Sequence, residues 1–308
     1  MPPRSTSRRE FLQATVVAGT LAGVPDLHAA GSDLLRVGLV GCGDRGTGAA
    51  TQALAADPHV QLVAMADAFE DRLQQSLAHL KQDEKVGSKV DVAPNHRFVG
   101  FDACQKLLES GVDVVLLCTP PHFRPLHLQA AVQAGKHVFA EKPVAVDAPG
   151  VNSVLESCKL AKTKGLSAVS GLCLRYDRGF RETVSRLHEG EAGEITTLLA
   201  NDYRSGRWAK PKQSSGTEMY YQMRNWYNFT WLSGDFNLEQ HVHFLDVCAY
   251  MARSTLLVIM GRMAAYTGQE ITWEMALNSR ENLGPDRYDW NGAPPVARIA
   301  IPGQTPFA

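Results

Sequence analysis

A glycine motif near the start of the chain has the spacing of a dinucleotide-binding loop. Gly41, Gly43 and Gly46 form G-x-G-x-x-G between an apolar β-type run and a segment of small residues. The first glycine of such a loop makes a tight turn, the second lets the backbone approach a pyrophosphate, and the third lets helix and strand touch. The N-terminus of the following helix faces the phosphates with its partial positive charge. The context favours a dinucleotide site over a bare strand–helix turn.

An acidic residue lies where such a site needs one. Residues 60–66 have the composition of a second strand, and Asp67 follows them, twenty-one positions after Gly46. A carboxylate there accepts hydrogen bonds from the adenosine ribose hydroxyls and repels a 2′-phosphate. The next residues, Ala68 and Phe69, supply no arginine. The sequence therefore predicts NAD as the cofactor, in preference to NADP.

Two polar turns follow later predicted strands. Residues 119–122 read Thr-Pro-Pro-His after an apolar run at 112–118, and residues 141–143 read Glu-Lys-Pro after a short run at 136–140. Ligands of such sheets lie beyond the carboxyl ends of the strands, so both turns are candidates for the site. From its chemistry alone, Lys142 beside Glu141 could equally form a surface ion pair.

Four side chains near residue 240 could serve acid–base chemistry. On a helix, Glu239, His243 and Asp246 fall at i, i+4 and i+7, on one face. Histidine titrates near neutral pH and can take a hydroxyl proton. A surface ion pair and a metal site that includes His241 are alternatives. His241 and His243 point about 160° apart on a helix, however, so one metal would hardly collect both, and no metal is predicted.

Aromatic and basic residues are concentrated in one later stretch. Nine aromatic residues lie between Tyr203 and Phe236, and five basic residues are interspersed among them. The aromatic residues are Tyr203, Trp208, Tyr220, Tyr221, Trp226, Tyr227, Phe229, Trp231 and Phe236, and the basic ones are Arg204, Arg207, Lys210, Lys212 and Arg224. Aromatic faces stack on sugar rings, which suggests a carbohydrate or cyclitol pocket. An aromatic core or a subunit interface is the alternative.

Composition excludes several classes of protein. The chain has 308 residues, 44% hydrophobic and 20% charged, which is typical of a globular protein of two domains. A net charge of −1 provides no field for holding a nucleic acid. No apolar run reaches the ~20 residues of a membrane-spanning helix. The six cysteines form no C-x-x-C, so neither a zinc site nor a disulfide framework is indicated.

The first thirty residues resemble an export signal. Arg8 and Arg9 directly precede an apolar stretch at residues 14–24 that is too short to span a membrane comfortably. This order is that of a twin-arginine signal, although a frayed amphipathic helix is the alternative. Because that route carries folded proteins, we expect a periplasmic protein that is exported by the twin-arginine machinery with its cofactor bound.

The segments around these motifs alternate between strand and helix patterns. Predicted strands cover residues 34–40, 60–66, 112–118, 136–140, 166–174 and 194–201, and predicted helices cover 47–56, 101–110, 126–134, 149–165 and 180–188. This alternation predicts an α/β protein with an N-terminal Rossmann doubly wound parallel sheet. We expect a signal segment at 1–30, the Rossmann domain at 31–148 and a smaller α+β domain at 149–308.

Taken together, the motifs resemble the Gfo/Idh/MocA oxidoreductases. The likeness rests on the glycine motif, a Cys-Thr-Pro turn followed by His127, and the Glu-Lys-Pro turn, and it covers residues 34 to about 252. It implies that Lys142 reaches the nicotinamide and the substrate hydroxyl. It also implies an acid–base pair at the Asp-x-x-x-His position of the family, where this chain has Glu239 and His243.

The resemblance ends before a feature that the family shares. Its members continue after the histidine helix with antiparallel strands that complete a second sheet and usually form a subunit interface. Here residues 245–252 pass directly into 253–257, which resemble a helix near the C-terminus of longer relatives. We therefore expect a shortened C-terminal domain with strands lost around Ala252 and Arg253.

These observations predict an oxidoreductase that moves a hydride between NAD and a hydroxyl of a sugar or cyclitol, and a possible homo-oligomer. The predicted catalytic residues are Lys142, His243 and Glu239, with Glu239 orienting the imidazole. The predicted cofactor-binding residues are Gly41, Gly43, Asp44, Arg45, Gly46, Asp67, Thr119, Pro120, His122, Glu141 and Lys142. A glycoside hydrolase or isomerase with captive NAD, and a truncated non-catalytic NAD-binding protein, are the alternatives.

Overall fold

The computed structural model of the chain describes most residues after Asp33. The described residues are 34–191, 193, 201–203, 208–212, 216–249, 254–285, 287–295 and 300–307. The export segment at 1–30, most of the strand predicted at 194–201, Arg204, Arg207 and the junction at 252–253 lie outside them, so those predictions stay predictions.

Six strands form one parallel sheet. They are β1 (Leu35–Val40), β2 (Val60–Asp67), β3 (Arg97–Val99), β4 (Val114–Leu117), β5 (His137–Ala140) and β6 (Ala168–Ser170). Their order is β3-β2-β1-β4-β5-β6, with every neighbouring pair parallel. The predicted Rossmann sheet is confirmed. The carboxyl ends of β1 and β4 lie side by side at its centre, the crevice where ligands of such sheets bind.

Helices pack on both faces of this sheet. The first five are α1 (Asp44–Ala56), α2 (Glu70–Gln82), α3 (Ala103–Leu108), α4 (Arg124–Gln133) and α5 (Ala148–Thr163). Buried side chains of α1 and α2 form one apolar layer with the sheet, and those of α3, α4 and α5 form the other. With helices on both faces, β4 at the centre of the sheet is apolar throughout, with the sequence Val-Val-Leu-Leu.

The sheet extends beyond the boundary that the sequence suggested. β6 pairs in parallel with β5 and so lies in the same sheet, although it follows the boundary expected after residue 148. Apolar patterning cannot show which sheet a strand joins. The division of the chain into two domains stays a prediction.

The described elements after β6 are helical. They are α6 (Arg178–His188), α7 (Glu218–Arg224), α8 (Thr230–Ser233), a π-helical turn (Asn237–His241), α9 (Val242–Ala249), α10 (Ser254–Thr267) and α11 (Trp273–Asn278). None of the described helices is long and apolar enough to cross a bilayer.

A third apolar cluster fixes the π-helical turn. Leu238 and Val242 are fully buried against Ile259 and Met263 of α10 and against Val151 of α5. This packing holds the turn beside the helix that follows β5. It therefore determines where the Glu239 side chain points.

Candidate functional site

A cavity of about 630 Å³ lies at the carboxyl ends of the central strands. Its floor comes from the glycine loop and the turn after β4, and its walls come from the turns after β2 and β3. Residues 208–210 and 223–227 close another side, and the π-helical turn reaches it with Glu239 and Gln240. The cavity therefore adjoins the glycine loop, Asp67 and the Thr119–Pro120 turn that the sequence marked as candidates, but it is not lined by the turn at 141–143.

The three glycines of the loop show why the motif needs them. Gly41 has φ of +94°, and a Cβ there would lie 2.7 Å from the backbone of Cys118 and Thr119. A Cβ on Gly46 would overlap the carbonyl oxygen of Gly41. A Cβ on Gly43 would meet nothing within 4 Å, although this residue lines the cavity. The space beside Gly43 fits a pyrophosphate that approaches the backbone at the N-terminus of α1.

Asp67 lines the cavity and also holds two loops together. One carboxylate oxygen accepts from the backbone N–H of Cys42 at 2.6 Å, and the other accepts from that of Phe69 at 2.8 Å. Burial raises the pKa of Asp67, while these hydrogen bonds and two nearby arginines oppose the rise. Each oxygen keeps acceptor capacity for a ribose hydroxyl.

The sequence did not show that two arginines lie beside Asp67. Arg72 and Arg224 line the same cavity. Arg72 lies in the first turn of α2, five residues after Asp67, and Arg224 comes from α7. The expectation of NAD rested partly on the absence of an arginine at residues 68 and 69. The cavity nevertheless contains two arginines, because both reach it from positions outside the motif.

Lys142 and Glu239 form a nearly buried ion pair. The Nζ atom of Lys142 lies 2.8 Å from Oε1 of Glu239 and also donates to the Glu239 main-chain carbonyl. The two side chains are only 12% and 8% exposed. Glu239 lines the cavity, and Lys142 contacts Glu239 without lining the cavity itself. The structure thus brings together two of the three residues that were predicted to be catalytic.

Glu239, His243 and Asp246 contact different side chains, whereas the sequence predicted that the three share one helical face. Oε2 of Glu239 accepts from the Gln240 amide at 2.6 Å, and Asp246 makes a bidentate pair with Arg175 at 2.6 and 2.7 Å. Nδ1 of His243 lies 3.8 Å from Sγ of Cys173. The π-helical turn breaks the i, i+4 spacing between Glu239 and His243, because a π turn holds more residues than an α turn.

The metal alternative gains no support from the described part of the chain. Those residues contain no group of three or more His, Cys, Asp or Glu side chains that could hold a metal ion. The ring of His241 packs edge-on against that of Phe236, with 5.1 Å between the ring centroids.

Three predicted cofactor residues do not line the cavity: His122, Glu141 and Lys142. Glu141 is buried and accepts from Nε of Arg45 at 2.6 Å, which ties the end of β5 to the first turn of α1. Nε2 of His122 lies 2.5 Å from the Tyr288 hydroxyl, and burial lowers the pKa of His122 to about 4. The packing of Tyr288 on this turn has no signal in the sequence.

The other predicted cofactor residues do line the cavity: Gly41, Gly43, Asp44, Arg45, Gly46, Asp67, Thr119 and Pro120. His127 joins them, with Nδ1 at 3.2 Å from the Thr119 hydroxyl. Burial lowers the pKa of His127 to about 3, so its imidazole is neutral at pH 7.

Sequence reasoning missed one buried residue beside the site. Arg124 is 1% exposed and donates to the carbonyl of Leu117 at 2.6 Å and to that of Pro143 at 3.4 Å. Burial lowers its pKa to about 10, still well above neutrality. Arg124 therefore fastens the turn that carries Lys142 to the end of β4. An arginine opening a helix just after a strand end was the only available signal.

For the aromatic and basic stretch the sequence left two interpretations open, a carbohydrate or cyclitol pocket and an aromatic core or subunit interface. In the structure Trp208, Lys210, Arg224, Trp226 and Tyr227 line the same cavity as the glycine loop. Composition could show the concentration of such side chains. It could not show which surface they would cover.

Comparison with known proteins agrees with this geometry. Residues 35–170 match the model of GFO_IDH_MocA, an oxidoreductase family with an NAD-binding Rossmann fold. The dTDP-3,4-didehydro-2,6-dideoxy-alpha-D-glucose 3-reductase of Actinomadura kijaniata is 29% identical over 175 residues, which are 56% of this chain and 47% of that enzyme. The myo-inositol 2-dehydrogenase of Thermotoga maritima is 28% identical over 164 residues, 53% of this chain and 44% of that enzyme. The chain thus spans about half the length of these relatives.

A solved structure shows the same fold. It is the WlbA dehydrogenase of Bordetella pertussis in complex with NADH and UDP-GlcNAcA, which is 22% identical. The TM-score is 0.53, and the match covers 72% of this chain and 56% of the other.

Proposed function

We propose that this protein transfers a hydride between a nicotinamide dinucleotide and a hydroxyl-bearing carbon of a sugar or cyclitol, because residues 35–170 match the model of an oxidoreductase family with an NAD-binding Rossmann fold. The sugar reductase and the inositol dehydrogenase among its relatives support this substrate class. The observation that carries the proposal is the Lys142–Glu239 pair at the edge of a cavity whose glycine loop fits a pyrophosphate.

The side chains near this pair have separate tasks in the proposed reaction. When bound, the nicotinamide ring supplies the hydride acceptor. Lys142 stabilises the negative charge that develops on the substrate oxygen, since a fixed ammonium in a site shielded from water acts more strongly than in bulk solvent. Glu239 holds that ammonium in place, which replaces the predicted role of orienting His243. By its resemblance to the family histidine, His243 is the proposed acceptor of the hydroxyl proton, although its side chain does not line the cavity.

We propose NAD as the cofactor, with Asp67 accepting from the adenosine ribose hydroxyls. The acceptor capacity left on both oxygens of Asp67 supports this assignment. We also propose that the chain is exported through the twin-arginine route, which Arg8 and Arg9 support.

Absorbance of reduced nicotinamide tests the activity. The purified chain is mixed with NAD and a panel of sugars and cyclitols, and we expect reduced cofactor to accumulate with at least one of them. A substrate that changes while no reduced cofactor accumulates would indicate captive cofactor. Bound NAD with no change in any substrate would indicate a non-catalytic binding protein and would contradict the proposal.

A further inference from the structure

A short strap crosses one side of the dinucleotide cavity. Residues 208–210 line it, and two buried or partly buried amides hold their backbone. Asn225 is 1% exposed and bonds both the N–H of Lys210, at 2.6 Å, and its carbonyl, at 3.2 Å. Nδ2 of Asn228 donates to the Trp208 carbonyl at 2.8 Å. The strap is therefore fixed, and Lys210 is held at the cavity wall.

Three cations converge on this wall. Arg72, Lys210 and Arg224 all line the cavity beside Asp67. Arg224 lies 3.9 Å above the ring of Phe69, the second residue after Asp67. The three groups come from α2, the strap and α7, so no single segment of the sequence shows them together.

The described carboxylates balance only part of this charge. Asp71 pairs with Arg224 at 2.5 and 2.8 Å, and Asp44 lies 3.6 Å from Arg72 with a fully exposed side chain. Lys210 has no ion pair of its own among the described residues. Partial burial and the charges of Arg72 and Arg224 lower the pKa of Lys210. A bound anion would relieve this repulsion.

The motif alone suggests that the charge of Asp67 repels such an anion. In the structure this repulsion is reduced. Its two oxygens already accept from the backbone N–H groups of Cys42 and Phe69, and Arg72 and Arg224 both act on its pKa. Repulsion between Asp67 and a phosphate is thereby offset by cations on the same wall.

We propose that Arg72, Lys210 and Arg224 form a binding site for a phosphate monoester on the adenosine ribose, so that the cavity accepts NADP as well as NAD. This inference rests on the proposed dinucleotide site and does not depend on hydride transfer. It assigns two basic residues of the 203–236 stretch, Lys210 and Arg224, to the cofactor.

Binding measured by calorimetry, without substrate, tests the site. The probes are NAD, NADP, 2′-AMP and 5′-AMP, each titrated into the unmodified chain, Lys210→Ala and Lys212→Ala. Lys212 is the matched control, because it pairs with Glu218 at 2.5 Å and does not line the cavity. A hydrogen bond to a charged group contributes ~1.5–3 kcal/mol, so Lys210→Ala should weaken NADP and 2′-AMP about 10- to 100-fold.

The same variant should change NAD and 5′-AMP affinity less than about twofold, and Lys212→Ala should change none of the four. The affinity for NADP should also fall more steeply with salt than the affinity for NAD. If Lys210→Ala weakened the binding of NAD and of NADP equally, Lys210 would contact the pyrophosphate that both share, and the inference would be overturned. NAD binding without NADP binding in the unmodified chain would overturn it as well. If neither dinucleotide binds, the proposed function fails with it.

Discussion

Removing the Glu239 carboxylate should destabilise the fold, because it leaves the Lys142 ammonium nearly buried and without its charged partner. The two side chains are 12% and 8% exposed, so water reaches the ammonium less readily than it reaches a surface lysine. Breaking a buried pair from one side costs ~3–5 kcal/mol. In Glu239→Ala the main-chain carbonyl of residue 239 still accepts from Lys142, so we expect about 3 kcal/mol, the lower end of that range.

Urea unfolding of the cofactor-free chain measures this loss as a lower midpoint. Lys142→Met combined with Glu239→Leu should recover much of it, since two apolar groups leave no buried charge. Glu156→Ala is the matched control: its pair with Lys159 is 73% and 71% exposed and should contribute under about 1 kcal/mol. A Glu239→Ala variant as stable as Glu156→Ala would refute the argument that the Lys142–Glu239 pair is shielded from water.

Three further perturbations address chemistry, pH and export. His243→Ala should lower turnover ~100- to 10,000-fold with unchanged dinucleotide affinity, while His241→Ala should lower turnover much less. Steady-state kinetics measures the turnover and calorimetry measures the affinity. A large loss of turnover in His241→Ala with little loss in His243→Ala would refute the assignment of His243 as the base. Burial lowers the folded-state pKa of His122 to about 4, below the unfolded value of ~6.5, so its contribution to stability is complete above pH ~6.5 and is lost as the pH falls toward 4. His122→Phe should therefore flatten the stability profile between those pH values in urea unfolding, and an unchanged slope would contradict this. Changing both Arg8 and Arg9 to Lys should strand the precursor in the cytoplasm, as fractionation would show; undiminished periplasmic protein would refute the export signal.

The fold of the first half followed from local signals. The glycine motif, the apolar run of β4 and the small residues of α1 each sit within one strand–helix unit, and local patterning is enough to place such a unit. The same signals could not show that β6 joins the first sheet, because strand pairing is set by tertiary packing.

The site was predictable only where its residues are neighbours in sequence. Lys142 and Asp67 were found from their positions at strand ends. Arg72 and Arg224 reach the cavity through packing that no motif encodes, and one extra residue in the turn at 237–241 separates Glu239 from the face of His243. A helix phase read from sequence assumes 3.6 residues per turn throughout, so a π turn defeats it.

The contacts of Trp290 determine when the cavity can be completed. Its ring lies 4.6 Å from that of Phe101 and 5.2 Å from that of Phe69, the two aromatic residues that line the cavity beside Asp67. During synthesis the six strands and the glycine loop leave the ribosome more than a hundred residues before Trp290 does. The Rossmann sheet can form early, but the wall beside Asp67 is completed only after Trp290 has emerged. During synthesis, closure of this wall therefore lags behind formation of the sheet by more than a hundred residues.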